Sequence, residues 1–187
     1  MSRRPAAKSA EDWIGAAFHV LARQGVDAVK VEPLADALGV TKGSFYWHFA
    51  DRAALLTALL TEWERVATSR VIEELDRHGE APRDRLNHLI TMAVSHPRAA
   101  QIEQAIRAWG ARDRAVRKSL KRVDERRIDY VCAMLIAAGV DRTRATRRSQ
   151  LMYLALLGEY AVVSHGGAPQ PAAVWRELVD LALLGTA

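Results

Sequence analysis

Residues 31–49, VEPLADALGVTKGSFYWHF, decide the fold. They read as two short helices, about Val31–Leu38 and Thr41–His48, joined by Leu38, Gly39, Val40 and Thr41. Gly39 permits a tight left-handed turn that a side chain would resist. Pro33 sits in the first turn of the leading helix, where its missing N–H is no loss. Leu34, Ala35, Leu38, Val40 and Phe45 supply a small buried seam, and Ala35 has to be small where the two helices cross. Thr41, Lys42, Ser44, Tyr46 and His48 then form the outer face of the second helix, and Gly43 leaves room for close approach. Hydrogen-bonding and cationic side chains of this kind suit major-groove base edges and phosphates. An ordinary helical hairpin with a solvated polar face has the same local pattern.

The flanking sequence is helical throughout, with apolar residues at spacings of three and four and no sustained period-2 alternation. Ser9 and Asp12 make a capping box ahead of a first helix that ends at Gly25. Trp13, Ala17, Val20, Leu21 and Gln24 lie on one of its faces. Asp51 caps a long fourth helix to about Arg77, with Leu55, Leu56, Leu59, Leu60 and Trp63 inward. Breaks near Gly79, Pro97, Gly110, Gly139 and 166–169 divide the remainder into five more helices, about nine in all.

Residues 13–63 resemble the DNA-binding domain of the TetR family of transcriptional regulators. The resemblance rests on the leading helix ending at Gly25, the A-x-x-L-G-V-T turn from Ala35, and Phe45-Tyr46-Trp47-His48-Phe49 before a capped helix that opens Ala54-Leu55-Leu56. It implies an all-α protein, with a helix-turn-helix DNA-binding domain over residues 1–52 and a larger helical effector-binding and dimerisation domain over 53–187. It also implies that Lys42, Gly43 and Ser44 approach bases, that Tyr46 and His48 touch phosphates or thymine methyls, and that Arg52 holds backbone phosphate. Phe45 and Phe49 read as packing; Trp47 is counted with the DNA face, its role as packing or contact left open. Arg3, Arg4 and Lys8 form a basic arm suited to added phosphate contacts.

The same resemblance requires a ligand pocket in the C-terminal half. Trp63, His88, Met92, Trp109, Tyr130 and Met134 are the large or adaptable side chains expected around it. His88 and His96 are too far apart along one helix, about 12 Å, for a shared metal ion, so no metal and no cofactor are expected. Met152, Leu156, Tyr160 and Val163 form one helical stripe, and Val174, Leu178 and Leu181 a second. Together they are expected to join two copies through a four-helix bundle.

The chain has 187 residues, half of them apolar, enough for a buried core. The single Cys132 excludes a disulfide framework or a cysteine-based zinc site. No apolar run is long enough for a membrane span and no signal core follows the basic N-terminus, so a cytoplasmic protein is expected. The net charge of +5 is concentrated in residues 98–148, which carry +8, and within them 112–127 reads as a solvated helix face. No phosphate-cradling glycine loop, nucleophile elbow or H-E-x-x-H is present, so no catalytic residue and no enzyme are expected. The expected partners are double-stranded operator DNA, an unidentified small-molecule effector and a second copy of the chain, with no membrane. The function implied is a repressor released from a palindromic operator by a small molecule. A helical ligand-binding or adaptor protein without DNA reading, or an activator, uses the same frame.

Overall fold

The computed structural model describes residues 8–185, and these are all helix, turn and loop. Nine helices follow one another among the described residues. The first is α1 (Ala10–Gln24), where Ser9 and Asp12 close the expected capping box. A 3₁₀ turn (Val26–Ala28) leads to α2 (Val31–Leu38). Gly39 then adopts φ 68°, and the Val40 N–H reaches back to Ala35 O at 3.0 Å, which turns the chain sharply into α3 (Lys42–Phe45). This third helix is shorter than the expected Thr41–His48. After Phe45 the chain tightens: the N–H groups of His48 and Phe49 both donate to Phe45 O (2.9 and 3.0 Å).

Asp51 accepts from the Ala54 N–H and opens α4, which runs from Arg52 to Arg77. It is not a uniform helix. Residues Arg65–Ser69 form a π-helical segment in its middle, with the Arg70 N–H bonded to Arg65 O five residues back. Such a widened turn displaces backbone groups that a side chain from elsewhere can then use. The remaining helices are α5 (Pro82–Val94), α6 (Pro97–Gly110), α7 (Arg114–Ala137), α8 (Arg142–Ser164) and α9 (Ala172–Leu183).

Two buried clusters organise the packing. One gathers Trp13, Ala17 and Leu21 of α1, Leu34 and Ala35 of α2, Phe45, Phe49, and Leu55, Leu59 and Trp63 of α4. It continues without a break into Ile106 of α6 and Val116, Leu120 and Val123 of α7. Gly110 allows that continuity, because a Cβ there would stand 2.4 Å from Leu120 Cδ1. The second cluster joins Leu86, Met134, Leu135, Met152, Val179 and Leu183 at the far end. Each fully buried large side chain contributes about 1.5–3 kcal/mol, so the clusters, rather than helix propensity, hold the short helices in place.

Candidate nucleic-acid face and ligand cavity

The first three helices wrap around Phe45. Its ring meets Trp13 edge-on at 5.2 Å and lies 5.4 Å from Phe49. With those rings buried, the intervening residues are forced outward. Thr41, Lys42, Gly43, Tyr46, Trp47 and His48 are exposed and Ser44 is half-buried, all on one continuous face. Trp47 is 88% exposed, which settles the open question of its side: it does not pack.

Two contacts pre-set this face. Lys42 pairs with Glu32 of α2. The hydrogen bond between them raises the lysine's pKa and holds the glutamate below the usual carboxylate range. His48 Nε2–H donates to Lys8 O (2.7 Å), so the chain just before α1 is tied to the end of the same face. Arg3 and Arg4 lie outside the described residues.

Arg52 departs from the expectation that it holds phosphate. Its Nε and Nη2 donate to Val29 O (2.5 Å) and Val26 O (2.6 Å), closing the link between α1 and α2 onto α4. Val26 O also accepts the 3₁₀ bond from the Val29 N–H (3.1 Å), and one guanidinium reaches both carbonyls at once. The sequence did not show this, because Val26 and Val29 lie more than twenty residues away.

A cavity of about 1070 Å³ lies between the two clusters, just above the usual range for small-molecule sites. Its walls come from α1, α4 and its π-helical segment, and α5 to α9. Of the six expected pocket residues, Trp63, His88, Met92 and Tyr130 line it. Trp109 and Met134 do not. Trp109 is about 10 Å further along α6 than the wall residue Ile102 and packs on the first cluster. Met134 lies one turn beyond Tyr130, buried in the second cluster.

The stripe assigned to dimerisation also moves. Met152, Leu156 and Tyr160 line the cavity from α8, and the Tyr160 hydroxyl donates to Ala93 O (3.1 Å). Val163 is half-buried, and Leu178 packs against the second cluster. Of the expected interface residues, Val174 and Leu181 are exposed. The outward apolar stripe of α8 is instead Leu151, Leu154 and Val162, at 62, 62 and 46% exposure. Met152 and Leu151 are adjacent, so the inward and outward apolar stripes of α8 differ by one helical position.

The polar floor of the cavity was not legible in sequence. Glu103, only 2% exposed, accepts from Arg107 (2.8 Å) and Arg127 (3.2 Å). Asp124 accepts from Arg107 (2.7 Å) and from the Tyr153 hydroxyl (2.6 Å). Arg127 also donates to Thr68 Oγ1 (3.1 Å) and Ala67 O (3.2 Å) in the π-helical segment, and its guanidinium sits 5.5 Å from the Trp63 ring centre. Burial, the largest single influence, opposes the Arg127 charge, but Glu103, Tyr153 and Tyr160 together outweigh it and raise the pKa. Burial pushes the Tyr160 phenol up to about 12. The Glu103–Arg107 spacing of four was the one available signal, and it describes many solvated helix faces equally well.

Among the described residues no group of three or more His, Cys, Asp and Glu side chains is placed to hold a metal ion. Among the same residues no helix is long and apolar enough to cross a membrane.

Residues 14–59 match the family described as bacterial regulatory proteins, tetR family. The HTH-type transcriptional regulator AcrR of Shigella flexneri is 30% identical over 89 residues, which is 47% of this chain and 40% of that one. The match thus spans less than half the length of that curated relative. The fold is shared over nearly the whole chain with a putative transcriptional regulator from Saccharomonospora viridis in complex with choline. That structure has a TM-score of 0.76 at 18% identity, over 91% of this chain and 93% of that one. The transcriptional regulator FadR from Bacillus subtilis, in complex with stearoyl-CoA, gives 0.71 at 16% identity, over 96% and 100% of the two chains.

Proposed function

We propose that this chain, a member of the tetR family of bacterial regulatory proteins by its residues 14–59, is a ligand-responsive DNA-binding transcriptional regulator. In this reading a homodimer holds a pseudo-palindromic operator in the cytoplasm as a repressor and releases it when a small molecule fills the cavity. Residues 1–52 read DNA, and 53–187 bind the effector and dimerise. Thr41, Lys42, Gly43, Ser44, Tyr46, Trp47 and His48 meet base edges and phosphates, while Arg52 positions the module from inside. The outer stripe of α8 and α9, Leu151, Leu154, Val162, Val174 and Leu181, forms the dimer face, since a contiguous exposed apolar stripe of this kind marks an interface.

One observation carries the reading: α1 has a different partner on each side. Trp13, Ala17 and Leu21 face the helix-turn-helix core, and Ile14, Gly15 and Phe18 face the cavity. A ligand in the cavity therefore touches the helix on which Phe45, and with it the DNA-reading face, is seated. Two recognition faces in a dimer must reach major grooves about 34–36 Å apart. A ligand that favours a different spacing by about 1.4 kcal/mol weakens operator binding tenfold, and operator weakens the ligand by the same factor. The choline and stearoyl-CoA complexes of the fold relatives support an organic effector.

Selection of duplexes from genomic fragments, followed by fluorescence anisotropy at about 150 mM salt, tests the reading. Sequence-specific binding that a cavity ligand reverses is the expected result. Met92→Trp, which narrows the cavity, should keep operator affinity and lose the ligand response, whereas Trp109→Ala should keep both. Binding that ignores duplex sequence removes the proposal.

A further inference from the structure

The buried charges at the cavity wall cancel among themselves, and their hydrogen bonds are already made. The five N–H groups of Arg127 all have acceptors: Nε–H on Thr68 Oγ1, Nη1 on Glu103 and Tyr153, Nη2 on Ala67 O and Glu103. Glu103 in turn accepts from both Arg107 and Arg127, and Asp124 balances the second guanidinium. Arg127 already lies beside the Trp63 ring that would otherwise attract a cation. Nearer the opening, Glu62 is paired with Arg65 at 2.6 Å and His88 lies 3.3 Å from Glu80. Glu11 and His96 also line the wall, and both are exposed to water, while the hydroxyls of the wall residues Tyr130, Tyr153 and Tyr160 donate to Asp76, Asp124 and Ala93 O. The rest of the surface is mainly apolar, from Ile14, Phe18, Val71, Ile102, Val131 and Leu156.

We infer that the cavity selects an uncharged, lipophilic effector over both anionic and cationic ones. This rests on reading the cavity as the effector site. A carboxylate entering it finds no free donor on Arg127, and an ammonium finds no free acceptor on Glu103. Either ion leaves water without a buried counter-charge, a cost that an uncharged chain of the same length escapes, and the unpartnered indole N–H of the wall residue Trp175 can serve a hydroxyl as well as a carboxylate.

Three probes of equal chain length separate the cases: 1-decanol, decanoate and decyltrimethylammonium, each below its solubility and micelle limits. Calorimetric titration of the intact protein should give 1-decanol the lowest Kd, at least tenfold below either ion, and Met92→Trp should abolish the difference. Glu103→Gln leaves two arginines facing Asp124 alone and should shift the preference at least tenfold toward decanoate. Arg127→Met leaves one arginine facing two carboxylates and should shift it toward the cation. An ion that binds the parent protein as tightly as 1-decanol overturns the inference, as does failure of all three to bind. If an ion binds best and releases operator, only the charge preference falls. If 1-decanol binds best and operator stays bound, the preference stands and the effector reading falls.

Discussion

The ring of Trp13 stands edge-on to Phe45 at 5.2 Å, while the next residue in the chain, Ile14, faces the cavity. One helical step thus separates the support of the DNA-reading face from the wall that a ligand would touch. Trp13→Ala should cost about 3–5 kcal/mol, the usual range for losing a buried aromatic ring. Urea denaturation should show that loss. Ile14→Ala should destabilise far less and act on the ligand response, read as the ligand concentration for half release of duplex.

Lys42 and Glu32 compete with DNA for each other. Lys42→Ala should weaken specific duplex binding by about 1–3 kcal/mol if the amine reads a base, and lower the salt slope by about one if it neutralises a phosphate. Glu32→Gln removes the competing carboxylate and should tighten binding most at low salt. Anisotropy titrations at several salt concentrations separate the two, and an affinity unchanged by either substitution excludes this end of α3 from the interface.

Arg52 should behave as a stability residue. Its two charge-assisted hydrogen bonds to Val26 O and Val29 O predict a loss of about 1.5–3 kcal/mol each at most in Arg52→Met, reduced where water can reach the carbonyls. Affinity per folded molecule should change little. A variant of full stability with weak DNA binding would restore Arg52 to the phosphate contacts.

Tyr160 predicts an alkaline limit. Burial raises its pKa from 10 to about 12 in the folded state. The unfolded chain therefore loses this proton first, and the folded state loses relative stability as pH rises from 10 to 12. The raised pKa corresponds to about 2–3 kcal/mol by linkage, all of it retained below pH 10. Tyr160→Phe should flatten that decline while giving up about 1 kcal/mol at neutral pH for the bond to Ala93 O. Denaturation midpoints of parent and variant between pH 8 and 12 measure the difference, and parallel curves would contradict it.

The α8 stripe is tested by charge. Leu151→Asp with Leu154→Lys should give a species of about 20.7 kDa in sedimentation if these residues join two copies. Met152→Ala, whose side chain faces inward, should leave the oligomeric state unchanged and destabilise the subunit by about 2–5 kcal/mol. A monomeric parent protein would dispose of the interface altogether.

Local signals carried the first fifty residues. The capping box at Ser9, the positive-φ glycines at 25 and 39, and Phe45 and Phe49 four apart each act within a turn or two of chain. Their consequences were therefore legible in sequence order for most of the outward side chains of 41–48, but not for Trp47, whose exposure only the structure decided. Trp63, His88, Met92 and Tyr130 could be placed at the cavity because large inward side chains on its helices have few other places to go. What spacing could not decide was rotation. Met152 and Leu151 differ by 100° on one helix, and only the packing of α8 against α6 and α7 determines which of them is buried. Arg52, Arg127 and Glu103 read alike as charged residues on helices. Apart from Arg107, four residues from Glu103, their partners are 23 to 60 residues distant, and a buried ion network exists only where tertiary packing has removed water from every member at once.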